Sequence, residues 1–328
     1  MNILLLTAHS IAEYDDVRMF TDLGHDVFSI GAYTKPHSPG DDKRPAILNA
    51  RYHEDFENLC PDQMAAKEHI PETILDWADV IVVHHYPEKW IYSQWPRIGH
   101  KRVIWRTCGQ SNPILEGMMR ELARLRANPL QIVRYSPKEK PFFEQRGAFA
   151  GQDALIRFGK YPGDFPEWRG DHTYGTNVTQ HMAQRAGFCG FEWYMEATRG
   201  LSMRPAGPGS MDLPGGVGPL PEADMYRHLA HASAYVYTGT LPASYTLGLI
   251  EALMVGVPVV SIGPSAFGVP GLFEGHELAS SWHDDPVGAR RDLAALLASP
   301  RVTETQTRAR ALFDMANVGP QWAEFLGG

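Results

Sequence analysis

Short apolar runs without strict alternation recur along the chain, and polar segments with helical spacing separate them. In the first half the runs are ILLLT (3–7), VFSIG (27–31), ADVIVVHHY (78–86), KRVIWRTCG (101–109), LQIVRYS (130–136) and ALIRFG (154–159). Between them, DDVRMFTDLGHDV (15–27) and PILEGMMRELARL (113–125) read as helices, the first with Asp15 or Asp16 near its start and Gly24 near its end. Strand-length runs that lack a polar face and alternate with helices predict a parallel sheet covered on both sides.

YPGDFPEWRGD (161–171) has neither period and is dense in Pro, Gly and aromatic residues, so it is the expected linker. After it the alternation restarts. HTYGTNVTQ (172–180) leads to a helix around GFEWYMEATRG (190–200), then to a strand LSMRPAG (201–207) and a Pro- and Gly-rich loop through PGGVGPLP (214–221). The helix EADMYRHLAHA (222–232) and the strand AYVYTG (234–239) follow, and the chain closes with helices DPVGARRDLAALLAS (285–299) and one around TETQTRARALFDMA (303–316). The pattern predicts an α/β protein of two doubly wound, Rossmann-like domains, 1–168 and 169–328, facing a central cleft that is the default ligand site. Whether the last helix packs back on the first domain stays open at this level.

A chain of 328 residues fits two domains, and 44% apolar with 21% charged residues is the composition of a soluble globular protein. MNILLLTAHS has no basic leader and an apolar run too short to span a membrane, which implies a cytoplasmic protein whose first strand starts at once. Cys60, Cys108 and Cys189 are widely spaced and form no ligand pattern, which implies a reducing compartment and no structural zinc. The net charge of −8 argues against a general nucleic-acid binder, yet residues 101–169 carry thirteen Lys and Arg against seven Asp and Glu. That local excess is either a solvated helical face or a surface for a polyanion.

The stretch 237–263, YTGTLPASYTLGLIEALMVGVPVVSIG, carries one carboxylate, and Glu251 is the only charged residue between Arg227 and Glu274 when histidine is neutral. Ser244 is a candidate N-cap and Gly256 a suitable residue to end a helix between them. At helical spacing Leu247, Ile250, Glu251 and Met254 share a face, which sets the carboxylate among apolar side chains. Its partner is either an N–H donor or arginine elsewhere in the fold, or a ligand offering hydroxyls beside amides that can bind an anion. A nucleotide ribose and its diphosphate meet both needs.

The segment from Ala234 to Gly263, with its Ser- and Pro-containing loop and then LGLIEALMVGVPVVSIG, resembles the donor-binding signature of the group 1, family-4-like retaining glycosyltransferases of GT-B fold. The resemblance implies that Glu251 holds the donor ribose and that backbone amides of Ser244, Tyr245, Thr246 and Leu247 face the diphosphate. It also implies a nucleoside-diphosphate sugar as donor substrate, no cofactor, and metal-independent transfer. Two departures stand out. The family commonly has a second glutamate eight residues earlier, where this chain has Ala243. After the first strand of the donor domain, where Arg and Lys are usual, TYGTNVTQHMAQRAGF offers Arg185 as the cation, assisted by Thr176 and Asn177. Gly207 is counted on the donor side as well, although GPGS (207–210) is too short to count as a phosphate loop.

In the N-terminal domain the strand ends VVHHY, with His84 and His85, and WRTCGQ, with Arg106, Cys108, Gly109 and Gln110, would open toward the ligand. His84 and His85 are, with Arg185, the candidate catalytic residues, and His9 and Tyr14 lie in the loop after the first strand. Asp15/Asp16, Asp41/Asp42 and Asp284/Asp285 are adjacent rather than spaced as DxD, so no metal site is expected, and no GxSxG occurs. The expected activity is transfer of a hexose of the glucose type, as from UDP-glucose, to an acceptor hydroxyl. The basic stretch makes a hydroxymethylated pyrimidine in DNA, hence DNA modification, one candidate acceptor beside small molecules, glycans and proteins. A sugar-nucleotide epimerase and a non-catalytic nucleotide-sugar sensor are the rival readings.

Overall fold

The computed structural model describes residues 1–7, 9–31, 33–34, 44–52, 70–109, 112–125 and 130–327. Asp41, Asp42, Cys60, Gln110 and Arg126 lie outside them. The chain divides into two compact units, Met1–Gly159 with Val318–Gly328, and Lys160–Asn317.

The first unit is built on seven parallel strands: β1 Asn2–Leu6, β2 Asp26–Ser29, β3 Ala50–Tyr52, β4 Val80–Val83, β5 Arg102–Arg106, β6 Gln131–Arg134 and β7 Ala154–Leu155. Their order is β3-β2-β1-β4-β5-β6-β7, so the direction of winding reverses between β1 and β4. All four residues of β4 are buried, as are Leu4, Leu6, Val103, Trp105 and Ile132. This is why these strands show no alternation: both faces of the sheet are covered. Two buried ion pairs tie helices to strand ends. Arg134 on β6 donates to both oxygens of Glu116 at 2.5 and 2.8 Å, and Arg106 on β5 reaches both oxygens of Asp16 at 2.5 Å.

The second unit has four parallel strands in the order β11-β10-β9-β8, where β8 is His172–Thr176, β9 Ala232–Tyr237, β10 Val259–Ile262 and β11 Ser281–His283. Tyr161–Asp171, the expected linker, belongs to this unit: the Trp168 indole donates to the Ala232 carbonyl at 2.9 Å. The strand expected at 201–207 is reduced to single bridges, Gly175 with Met203 and Ala206 with Gly218. Pro205 has no N–H to give a ladder, and Gly207 turns the chain at φ +97°. The Met203 bridge sits on the side of β8 away from β9, so here too the winding reverses, between β8 and β9.

Two helical expectations change. The apolar helix runs Leu247–Val255 with Thr246, not Ser244, at its N-cap, and Gly256 ends it in the left-handed conformation at φ +95°. A further helix, Met315–Gly327, follows the one at Glu304–Ala311; Pro320 inside it masks the helical pattern in the sequence. From Val318 onward it belongs to the first unit, where the Trp322 ring meets Phe20 edge-on at 5.2 Å. No helix among the described residues is long and apolar enough to cross a membrane.

Candidate functional site

In the second unit the predicted donor residues collect at the carboxyl ends of β8 and β9, the place where a doubly wound sheet leaves room for a ligand. Val178 is the meeting point. Its N–H donates to the buried Tyr235 hydroxyl. A Cβ added to Gly248 would come within 2.8 Å of the Val178 Cγ2, and one added to Gly207 within 3.8 Å of its carbonyl. The loop after β8 therefore lies directly on the first turn of the Leu247–Val255 helix, and Gly248 permits that approach.

Thr176 and Asn177 build this loop. Both are buried; the Thr176 hydroxyl donates to the Arg204 carbonyl at 2.8 Å and lies 3.0 Å from His228 Nε2. The Asn177 amide donates to the Val236 carbonyl at 2.8 Å while its oxygen accepts from the Thr179 N–H at 2.8 Å, so it pins the loop to β9. The Ala206 N–H donates to the Asn177 carbonyl, which brings Gly207 to the same end of β8.

The Ser244 to Leu247 segment is also narrower as a site than expected. Ser244 is fully buried and its carbonyl accepts from the Glu274 and Gly275 amides at 3.0 and 3.1 Å. Tyr245 is buried with its ring edge-on to Phe313. Thr246, Leu247 and Gly248 are half-buried and no side chain caps the helix, so the first-turn amides of Leu247 and Gly248 lack an intrahelical acceptor. Arg185 is exposed at the head of the short helix Ala186–Cys189, with Nη1 3.3 Å from the Gln180 carbonyl.

Glu251 lies one turn into the helix and is 8% exposed. Lys160 Nζ stands 3.5 Å from its Oε1. Lys160 is itself buried, and its backbone is held from both sides: its N–H donates to the Phe313 carbonyl at 2.7 Å and its carbonyl accepts from Met315 at 2.8 Å. A lysine from the segment that opens this unit is thus one N–H donor facing the lone carboxylate, among the alternatives the sequence left open of a donor or arginine elsewhere in the fold or a ligand.

In the first unit a separate cluster sits beyond β1, β4 and β5. His84 is fully buried, with Nε2 3.1 Å from Asp16 Oδ2, so it braces an internal ion pair. Burial would raise the Asp16 carboxyl, but Arg106 and His84 beside it outweigh that and hold it below the usual range. His85 is half-buried; its Nδ1 lies 3.1 Å from the Thr7 hydroxyl and its ring stacks on His9 at 6.2 Å. Burial, with His84 and His9 adding to it, pushes the His85 imidazole down to about 3, so it is neutral at physiological pH. Tyr14 meets Tyr33 edge-on at 5.3 Å, and the Arg44 guanidinium covers its ring at 4.7 Å.

Part of the basic stretch is spent inside this unit. Arg106 and Arg134 are buried in carboxylate pairs, and Arg102 donates to the Phe325 and Leu326 carbonyls at 2.6 and 2.8 Å. Lys101 donates to Ala78 and Arg120 to Gly147, both at carbonyls.

No family model matches the sequence, and comparison with curated proteins gives no match. Solved structures do match over the whole chain. Sucrose-phosphate synthase from Thermosynechococcus elongatus is 13% identical with a TM-score of 0.67, covering 100% of this chain and 98% of its own. HepE of Anabaena in complex with UDP-glucose is 15% identical, with a TM-score of 0.65 and coverage of 100% and 99%. A glycosyltransferase from Rickettsia africae is 12% identical, with a TM-score of 0.58 and coverage of 99% and 98%. With parallel sheets in both units and these structures matching from end to end, the chain has the GT-B glycosyltransferase fold.

Proposed function

We propose that this protein is a glycosyltransferase that moves a hexose from a nucleoside-diphosphate sugar, UDP-glucose first among them, to an acceptor hydroxyl. The observation that carries the reading is Glu251: a nearly buried carboxylate, held by Lys160, one turn inside a helix whose first turn no side chain caps. That arrangement offers two acceptor oxygens for vicinal ribose hydroxyls and N–H donors for a phosphate beside them. The UDP-glucose complex of HepE, a protein of the same fold, supports the choice of donor.

In this reading Glu251 accepts hydrogen bonds from the ribose, and the Leu247 and Gly248 amides with Arg185 stabilise the charge that grows on the departing diphosphate. The transfer is metal-independent and retains anomeric configuration, as the resemblance of the 234–263 segment implies. The first unit presents the acceptor, with neutral His85 able to give or take one hydrogen bond at its hydroxyl. DNA carrying hydroxymethylated pyrimidines draws less support than the charge count alone suggested, because three of the nine arginines in the stretch, Arg102, Arg106 and Arg134, are engaged internally. Sugars and small alcohols are tested beside it.

The test is release of UDP from UDP-glucose by wild type and Glu251→Ala, followed by mass spectrometry of a panel of sugars, alcohols, peptides and 5-hydroxymethylcytosine DNA. The reading expects UDP release that depends on Glu251 and a hexose mass increment on at least one acceptor class. Conversion of the donor without any acceptor would make the protein an epimerase; UDP-glucose binding with no turnover on any acceptor would make it a sensor.

A further inference from the structure

At the opposite end of β8 from the donor residues, three side chains converge that the reading above does not use. Asp171 and His172 lead into β8, and His231 ends the helix Glu222–His231. His231 Nδ1 lies 2.6 Å from Asp171 Oδ1, and the His172 and His231 rings stack with centroids 4.6 Å apart and planes 18° apart. One ligating atom from each of the three lies within 4.8 Å of the other two.

The backbone beneath these groups is fixed. The Ala230 carbonyl accepts from the Arg169 and Gly170 amides at 2.8 and 3.0 Å, and the Ser233 hydroxyl donates to the His172 carbonyl at 2.6 Å. The segment before Asp171 is therefore tied to the helix end, while the side chains stay open to solvent, Asp171 at 50% and His231 at 26%. Chemistry favours a cation here on two counts. Two imidazoles and a carboxylate are a donor set that zinc and its neighbours in the transition series take. The carbonyl end of a helix adds partial negative charge.

We propose that Asp171, His172 and His231 bind a divalent transition-metal ion of the zinc class, which clamps the start of β8 to the end of the helix Glu222–His231. On binding, neutral His231 ligates through Nδ1 with its proton on Nε2, so bonds from both groups to the ion replace the Asp171–His231 hydrogen bond, and water completes the coordination. Rotation of the exposed His172 side chain turns its stacked ring so that its nitrogen meets the same ion. The site is independent of the donor reading.

Zinc is titrated against a chromophoric chelator in the presence of the tag-free full chain, and the thermal midpoint is followed with and without zinc. The site predicts one equivalent of zinc bound by wild type and lost in His172→Ala and His231→Ala, weakened at least tenfold in Asp171→Asn, and kept in His283→Ala, which removes an imidazole paired elsewhere with Asp292. Zinc raises the midpoint of wild type and leaves that of the two alanine variants unchanged. His172→Phe keeps an aromatic ring in the stack and removes only the ligand, so it separates ligation from folding; it too should bind no zinc. A wild type that binds no zinc, or one whose equivalent survives in His172→Ala and His231→Ala, overturns the assignment.

Discussion

At the scale of single residues, the pairing of Glu251 with Lys160 joins stability to function. Lys160 holds one carboxylate oxygen in a nearly dry position, so it sets where the acid points, which the proposed function makes the ribose contact. Glu251→Gln keeps the shape and removes the charge; it should raise the KM for UDP-glucose by roughly 10- to 100-fold, the span of about 1.5–3 kcal/mol for hydrogen bonds to a charged group. Lys160→Met should raise the same KM and also lower the melting temperature, because it leaves Glu251 without its nearest cation; Lys160→Arg restores part of both. Steady-state kinetics and thermal melts on the three variants check this, and an unchanged KM in Glu251→Gln would remove the ribose assignment. His85 carries a pH prediction. Its folded value of about 3 lies below the ordinary imidazole range, so below about pH 6.5 the unfolded chain takes up a proton that the folded one refuses. The stability tied to neutral His85 is complete above that pH and lost as pH falls toward 3. Urea unfolding between pH 7.5 and 5 should show wild type losing stability relative to His85→Gln by up to about 1.4 kcal/mol per pH unit.

At the scale of elements, two helical glycines make opposite predictions. Gly117 lies inside the helix Pro113–Ala123, and a Cβ there meets nothing within 4 Å. Gly117→Ala should stabilise by about 0.5–1 kcal/mol, the helix-propensity gain, as read by chemical denaturation. Gly248 would gain as much from propensity, but its Cβ runs into Val178 at 2.8 Å and must push the loop after β8 away. Gly248→Ala should therefore weaken UDP binding about tenfold or more by calorimetry while the melting temperature moves by only a few degrees. Equal binding in both would show that the loop yields freely. Elements also show where sequence reading stops. The glutamate, its helix and the terminating Gly256 were legible because an unbroken apolar period surrounds one charge. Val178 and Lys160 were not, since nothing local distinguishes a valine in a loop or a lysine near an expected linker from any other. Thr176 and Asn177 show a related limit: the Arg204 and Val236 carbonyls they donate to lie far along the chain, so no local pattern names those partners.

At the scale of the whole molecule, the last residues return to the unit in which the chain began. Trp322 is fully buried there, packed against Phe20 and lying 5.3 Å from the Arg106 guanidinium, while Arg102 holds the Phe325 and Leu326 carbonyls. Trp322→Ala should cost about 3–5 kcal/mol in the first unit and leave the second unmoved. Calorimetry should resolve this as one transition shifted down and one unchanged. The amino-acid sequence by itself determined the α/β class, the parallel character of both sheets and the helix that carries Glu251, because buried strands and amphipathic helices write their periods into consecutive residues. Only the tertiary structure decided which polar groups meet: Lys160 with Glu251, Asp16 with His84 and Arg106, Asp171 with His231. Those pairs are separated by long stretches of chain, and their meeting depends on strand order and backbone approach, which no local pattern encodes.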